Sequence, residues 1–177
     1  MTAQISKITV NGWLLFNRII PLLWDDQKPK DCSFNRKHLK NLTNADPWRA
    51  WILREAMDIK FTYKGKEYYL RLKAGFITDK VSNPFRNDAF AAMVPALFHD
   101  YIWATGKLDF ALMNDIFYAM MRCDSYKWNG EYMKIRPFSK LRAGYYKTGV
   151  TLARHSYENQ PLERRVWSDY MGELVVF

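Results

Sequence analysis

The sequence predicts an α+β protein, with a small antiparallel sheet from the N-terminal half packed on a helical subdomain of about three helices. Two neighbouring stretches carry this prediction. Residues 58–63 and 67–72 alternate apolar and polar side chains on either side of Lys64-Gly65-Lys66, which is the pattern of a β-hairpin. Residues 89–105 instead place apolar side chains at helical spacing, so strands and helices occupy separate parts of the chain.

The N-terminal half is expected to supply the rest of the sheet. Residues 5–10 are rich in β-branched side chains and predict a strand. Residues 13–24 are apolar and predict a strand pair or an edge segment, whereas the polar residues 25–46 predict a long loop. Residues 47–56 predict a short helix before the hairpin.

The predicted helices have recognisable ends. Gly106 follows the first helix, over residues 89–105, and is a good stop signal. Asp109 suits the N-cap of a second helix, and Ser139 suits the N-cap of a third. The short connection between the first two makes them antiparallel neighbours.

A chain of 177 residues suits one domain with extensions. We expect an N-terminal extension over residues 1–50, an α+β domain over 51–155 and a C-terminal extension over 156–177. The apolar content of 49% is enough for a core without disulfides, and the two cysteines are expected to be buried free thiols. The sequence shows no apolar run of the roughly 18 residues that a membrane span needs, and no signal peptide.

Acidic residues are concentrated in one part of this basic chain, whose net charge is +9. Residues 74–125 contain four Lys and Arg residues and six acidic residues, all of them Asp. The segments on both sides have a net positive charge. This asymmetry indicates that some of these carboxylates are placed for chemistry.

Helix geometry brings several polar residues to one level. His99 and Asp115 each lie eight residues from Lys107 at the predicted turn, so at about 1.5 Å rise per residue both are roughly 12 Å from it. His99 and Asp115 could therefore face one another, together with their neighbours Asp100 and Asn114. Folding of the preceding loop onto the same end would add further polar side chains, namely Thr78, Asp79 and Ser82.

These residues define the candidate site. The candidate catalytic or metal-binding residues are Asp79, His99, Asp100 and Asp115, and the candidate substrate-binding residues are Thr78, Ser82 and Asn114. One imidazole with several carboxylates suits Zn²⁺, Mn²⁺ or Fe²⁺ better than Ca²⁺, so one of these ions is the expected cofactor. Alternatively, Asp100 on its apolar helix is satisfied by structural hydrogen bonds.

The order of these motifs resembles a family of uncharacterised small proteins encoded by tailed phages and prophages. The resemblance covers roughly residues 51–149. Its matching residues are Gly75, Phe76, Thr78, Asp79, Ser82, Pro84, His99, Asp100, Trp103, Asp115 and, after the last of these, Phe117 or Tyr118. The chain departs from the family pattern at Val81, Phe85 and Trp103. The resemblance implies a phage or prophage origin and a shared polar site, but no named reaction.

Two functions remain open at this point. One is a metal-dependent hydrolase of the host cytoplasm, in which the ion lowers the pKa of a bound water. The other is a non-catalytic virion component, for the tail or for assembly, in which the polar residues are structural and the termini contact phage structural proteins or a second copy. The chain has no phosphate-binding loop, dinucleotide fingerprint or nucleophile elbow.

Two stretches after the second helix suggest contacts. Residues 126–155 hold seven Lys and Arg residues against Glu131 alone, interleaved with aromatic side chains. This composition is usually a solvated surface and predicts at most weak, non-specific binding of nucleic acid. Residues 172–177 are β-prone and are expected to add as a strand to this domain or to a partner.

Overall fold

The computed structural model describes residues 3–42, 50–80 and 90–177, with only the backbone of Phe90. The protein is a mixed α+β fold, 41% helical and 25% strand, which confirms the predicted class. The strands are β1 (Ile8–Asn11), β2 (Phe16–Arg18), β3 (Trp51–Leu53), β4 (Met57–Tyr63), β5 (Lys66–Leu72), β6 (Ile77–Thr78), β7 (Ser125–Trp128), β8 (Glu131–Lys134) and β9 (Gly172–Val176).

The described helices follow mainly from the middle of the chain onwards. They are α1 (Trp24–Gln27), α2 (Leu39–Leu42), α3 (Phe90–Thr105), α4 (Phe110–Met121), α5 (Lys140–Leu152), α6 (Arg154–Glu158) and α7 (Leu162–Tyr170), with a 3-10 turn at Pro21–Leu23. In the described part of the chain, no helix is long and apolar enough to cross a membrane.

The strands form two sheets. The larger has six strands in the order β8-β7-β1-β4-β5-β9, and the smaller has three in the order β2-β3-β6. Adjacent strands are antiparallel, except that β1 and β7 are parallel. The smaller sheet ends at Thr78, immediately before the polar residues of the candidate site.

The predicted hairpin is present as β4 and β5. Met57, Ile59, Phe61 and Tyr63 are buried while the residues between them are not, so one face of the sheet packs on the core. Lys64 and Gly65 have φ angles of 50° and 78°, the left-handed pair that a tight hairpin turn requires.

The predicted helix over residues 47–56 is wrong where the structure describes it. Trp51–Leu53 is the central strand of the smaller sheet, pairing with β2 on one side and β6 on the other. Three bulky apolar residues in a row fit a strand flanked on both edges. Residues 43–49 lie outside the described residues. Short helices α1 and α2 occupy parts of the stretch 25–46 that was expected to be a loop.

The predicted caps are confirmed. The Asp109 carboxylate accepts a hydrogen bond from the backbone N–H of Leu112 at 2.8 Å, at the start of α4. The Ser139 hydroxyl accepts one from the N–H of Arg142 at 3.2 Å, at the start of α5. These bonds satisfy backbone donors that the first helical turn leaves free.

Both ends of the chain contribute strands to the larger sheet. β1 lies between β7 and β4, and β9 pairs antiparallel with β5, placing Leu174 opposite Leu70. The C-terminal segment therefore docks as a strand on its own domain, as one of the two alternatives predicted. The division at residues 50 and 155 stays a prediction about domain boundaries.

The helices cover one face of the larger sheet. Phe61 of β4 meets Phe98 of α3 edge to face, with ring centroids 5.3 Å apart. Helix α3 also packs against α4 and α7. Trp167 of α7 in turn packs against Trp24, with ring centroids 5.6 Å apart. In this setting the polar residues of α3 are buried at Asp100 and half-buried at His99.

Candidate functional site

The site is centred on the contact between β6 and α3. Thr78 and Asp100 are buried, at 2% and 7% exposed, and the Thr78 hydroxyl donates a hydrogen bond of 2.5 Å to Oδ2 of Asp100. The same hydroxyl accepts a bond of 2.8 Å from the backbone N–H of Lys80. Thr78 therefore fixes both the Asp100 side chain and the chain that leaves β6.

Asp79 places a second carboxyl group against the first. Asp79 is half-buried, and hydrogen bonds from its backbone N–H and its side chain lower the pKa of Asp100. Its own charge raises the pKa of His99 and of Arg164.

The environment of Asp100 moves its titration towards neutral pH. Burial raises the pKa of Asp100 from 3.8 to about 6, because the charged form loses its hydration. The Thr78 hydroxyl, the nearby Arg164 guanidinium and the Asp79 hydrogen bonds oppose this rise. A carboxyl group with a pKa near 6 can both give and take a proton near neutral pH.

His99 lies next to this pair as a neutral imidazole. Its side chain is 13% exposed, and its Nδ1 atom is 3.7 Å from Oδ1 of Asp100. Burial lowers the pKa of His99 to about 4, with Arg164 acting in the same direction and Asp79 against it. Nε2 of His99 is buried without a hydrogen-bond partner among the described residues.

Aromatic rings hold the imidazole in place. The ring of His99 packs against Phe117 of α4 at 4.7 Å and against Trp103 of α3 at 5.1 Å between centroids. Apolar walls on two sides exclude water from the ring. They explain why loss of hydration is the largest effect on its pKa.

Arg164 brings a positive charge to the site from α7. Its side chain is 5% exposed, and its charge acts on Asp100 and Asp79. Burial lowers the pKa of Arg164, while the two acids raise it. Within the described part of the chain, the guanidinium atoms Nε and Nη1 are buried without a hydrogen-bond partner. Unpaired donors at such depth are uncommon in protein cores.

Sequence reasoning did not select Arg164. One signal for it is its position relative to Trp167 and Ser168, three and four residues further along α7. All three are buried, so they form the face of α7 that packs inwards. An arginine at a core-facing helical position is rare unless a charge lies opposite it. We call Thr78, Asp79, His99, Asp100 and Arg164 the polar cluster.

In the structure, Asp115 pairs with a residue outside the polar cluster. Its carboxylate accepts a hydrogen bond of 2.6 Å from Lys147 Nζ on α5, in a partly exposed ion pair. Phe117 is the residue of α4 that faces His99, and two residues correspond to about 200° around a helix. The predicted position of Asp115 along the axis of α4 was therefore suitable for contact with His99. Its direction around the helix axis, however, points it away from His99.

Of the other two predicted residues, the structure describes only Asn114. Asn114 is 2% exposed, and its Oδ1 atom has no hydrogen-bond partner among the described residues. Ser82 lies in the stretch 81–89, outside the described residues. Among the predicted site residues, the structure therefore brings together Thr78, Asp79, His99 and Asp100.

The donor atoms of the polar cluster suit a transition metal. Two carboxyl groups and one imidazole are ligands typical of Zn²⁺, Mn²⁺ and Fe²⁺ sites. Within residues 3–42, 50–80 and 90–177, no three His, Cys, Asp or Glu side chains are already arranged to hold an ion. Binding by these residues would require the hydrogen bonds between Asp79 and Asp100 to rearrange.

A groove of about 270 Å³ opens beside β2 and β3 of the smaller sheet. Its lining shares no residue with the polar cluster. It consists of Asn17, Gln27, Lys28, Pro29, Ile52, Leu53, Arg54, Ala74 and Gly75. Gly75 borders it with a φ of 98°, and a side chain there would meet Pro29.

Comparisons of the chain with models of protein families, with curated proteins and with solved structures find no match.

Proposed function

We propose that this protein is a small hydrolase whose reactive centre is the polar cluster. One observation carries the proposal: the buried carboxyl group of Asp100, hydrogen-bonded to Asp79, lies beside a neutral imidazole and a buried guanidinium with unpaired donors. Burial of this many polar groups costs stability unless they pair fully. Incomplete pairing in a protein core is typical of sites where strain serves chemistry.

Asp100 is the proposed general base. With a pKa of about 6 it is mostly ionised at neutral pH, and it is still basic enough to take a proton from water. His99 is already neutral under these conditions and acts as a second acceptor. Arg164 is the proposed electrostatic stabiliser, because a fixed guanidinium in a buried site favours negative charge that develops in the transition state.

We further propose that a divalent ion activates the site. Asp79, His99 and Asp100 would hold the ion. When bound, Zn²⁺, Mn²⁺ or Fe²⁺ lowers the pKa of a coordinated water towards 7. Asp115 is not among the proposed ligands, because its carboxylate is already paired with Lys147 of α5.

The order of the motifs supports a phage or prophage origin for this hydrolase. Four residues of the resemblance, Thr78, Asp79, His99 and Asp100, are the ones that meet in the polar cluster. The proposed location is the host cytoplasm.

A screen for hydrolysis tests this proposal. The purified protein is assayed against chromogenic carboxylic esters, phosphate esters, glycosides and peptides, with chelator and with Zn²⁺, Mn²⁺ or Fe²⁺. We expect ion-dependent hydrolysis of at least one class, lost in Asp100→Asn and retained in Asp124→Asn, whose side chain is exposed and outside the cluster. Equal activity in both variants would exclude the polar cluster as the reactive centre.

A non-catalytic virion component is the second candidate. It is favoured by the burial of the cluster, since Thr78, Asp100 and Arg164 are each at most 7% exposed. In that case the cluster joins β6, α3 and α7, and the termini contact phage structural proteins or a second copy. The two candidates differ in ion dependence, because a purely structural cluster has the same stability with divalent ions and with chelator.

A further inference from the structure

In the part of the chain that the structure describes, the helices pack on one face of the six-stranded sheet and leave the other face more exposed. In β1, β4 and β5 the buried residues alternate with half-buried or exposed ones, so only one face packs on the core. In β7 the buried residues are Tyr126 and Trp128, which leaves Ser125 and Lys127 on the outer face. The polar cluster lies on the helical side, so its function does not use this outer face.

The register brings aromatic and basic side chains into one row across the outer face. Tyr132 of β8 is opposite Lys127 of β7, and Lys127 is opposite Thr9 of β1. Thr9 is in turn opposite Lys60 of β4, which is opposite Tyr69 of β5. At about 4.8 Å between strands, the row spans roughly 19 Å from one tyrosine to the other.

The end of this row at β8 is strongly basic. The Nζ atoms of Lys7 and Lys127 each lie 5.7 Å from the centroid of the Tyr132 ring. Lys134 is on the same face, because it is opposite Ser125. Glu131 is opposite the buried Trp128 and therefore belongs to the other face. Among the described residues, none of these three lysines forms an ion pair.

Tyr132 is unusually accessible for an aromatic residue in a sheet, at 71% exposed. A ring this exposed contributes little apolar burial to the core, and its surface is accessible to a ligand. The bases of single-stranded nucleic acid stack on such rings without regard to sequence, while lysines contact the phosphates. Duplex bases are already stacked and offer no free face to a ring.

We propose that this outer face binds single-stranded nucleic acid, with Tyr132 stacking on a base and Lys7, Lys127 and Lys134 contacting phosphates. The binding is independent of sequence, because lysine contacts to phosphate carry no base information. It is also independent of the proposed hydrolase, whose residues lie on the opposite side of the sheet. The basic composition of residues 126–155 predicts weak binding of nucleic acid. The strand register assigns the proposed binding to β7 and β8 within this stretch.

Fluorescence anisotropy with labelled oligothymidylate longer than about 16 nucleotides tests the proposal. For three phosphate contacts, log K should fall with log salt concentration with a slope of about −2, and Lys127→Gln should reduce this slope by about 0.7. Tyr132→Ala should weaken binding roughly tenfold, because base stacking is lost. Circular dichroism and melting curves verify that each variant is folded.

Matched variants on α5 serve as controls. Tyr145→Ala removes an exposed tyrosine and Lys140→Gln removes an exposed lysine, both outside the outer face. We expect binding within about twofold of the wild type for both. An equal loss in these controls, or duplex binding as tight as single-strand binding, would overturn the proposal. So would binding of phosphatidylserine vesicles through Lys127 without binding of the oligonucleotide.

Discussion

Thr78 and Asp100, 22 residues apart in the sequence, are joined by a hydrogen bond of 2.5 Å between Oγ1 and Oδ2. The bond connects the last residue of the smaller sheet to the centre of α3. It keeps the Asp100 carboxylate partly ionised although burial favours its neutral form. This hydroxyl group is therefore one of the contacts that fix Asp100 in the polar cluster.

Replacing this hydroxyl tests its contribution. Thr78→Val keeps the shape but leaves Asp100 and the N–H of Lys80 without their partner, so it should lower the free energy of unfolding by about 1–3 kcal/mol. Thr78→Ser keeps the hydroxyl and should retain most of the stability. Thr148→Val, on the exposed surface of α5, is the control and should change stability by less than about 0.5 kcal/mol. Urea unfolding measures all three variants.

The pH dependence of stability should contain two opposing contributions from adjacent residues. The pKa of Asp100 is raised to about 6 on folding, so its contribution is complete below pH 3.8 and is lost as pH rises through 6. The pKa of His99 is lowered from 6.5 to about 4, so its contribution is present above pH 6.5 and is lost as pH falls through 4. In the wild type, the two nearly cancel.

Single variants should reveal each contribution with opposite sign. Relative to the wild type, Asp100→Asn should gain about 2–3 kcal/mol of unfolding free energy as pH rises from 4 to 6.5, because His99 then titrates unopposed. His99→Gln should lose a similar amount over the same range. Urea unfolding at several pH values measures both. If the unfolding free energies of the two variants changed with pH in the same direction, these residues would not titrate as described.

The pair of Asp115 and Lys147 should contribute little. Their side chains are 32% and 37% exposed, and partly exposed pairs are typically worth about 0–1 kcal/mol. A double-mutant cycle with Asp115→Asn and Lys147→Met measures the coupling, which should decrease with added salt. A coupling above about 2 kcal/mol would mean that Asp115 has a further buried partner.

Replacement of glycine by alanine should change stability in opposite directions at two positions. At Gly172 a Cβ atom would lie 2.5 Å from Cε2 of the buried Tyr101, so Gly172→Ala should cost about 1–3 kcal/mol through overpacking. At Gly149, inside α5, a Cβ atom would meet nothing within 4 Å, and Gly149→Ala should add about 0.5–1 kcal/mol. Thermal melts compare the two, and a stabilised Gly172→Ala would show that Tyr101 can move aside.

Local signals predicted the elements whose ends are set by nearby residues. Lys64-Gly65 specified the hairpin turn, and Asp109 and Ser139 specified helix starts, because turns and caps depend on a few adjacent side chains. The hairpin of β7 and β8 was missed although Asn129-Gly130 turns it with φ angles of 48° and 93°. The basic charge of this stretch predicts a surface, whereas the turn-forming pair Asn129-Gly130 predicts the hairpin.

The candidate site was predictable only in part. Asp79, His99 and Asp100 were selected because their segments are close in sequence and carry polar residues on apolar elements. Arg164 enters through the docking of α7 on α3, which depends on contacts between distant parts of the chain. The direction of Asp115 depends on helical phase, and a spacing argument along the axis does not determine it.

Paired melting curves show whether the polar cluster binds a divalent ion. The wild type, Asp100→Asn and Asp115→Asn are each melted with Zn²⁺ or Mn²⁺ and with chelator. At a hundredfold excess of ion over Kd, the wild type should gain about 2.7 kcal/mol, a rise in Tm of roughly 5–10 °C. Asp100→Asn should lose this gain and Asp115→Asn should keep it. A wild-type melt indifferent to Zn²⁺, Mn²⁺ and chelator would contradict binding of an ion by the polar cluster and favour the structural role.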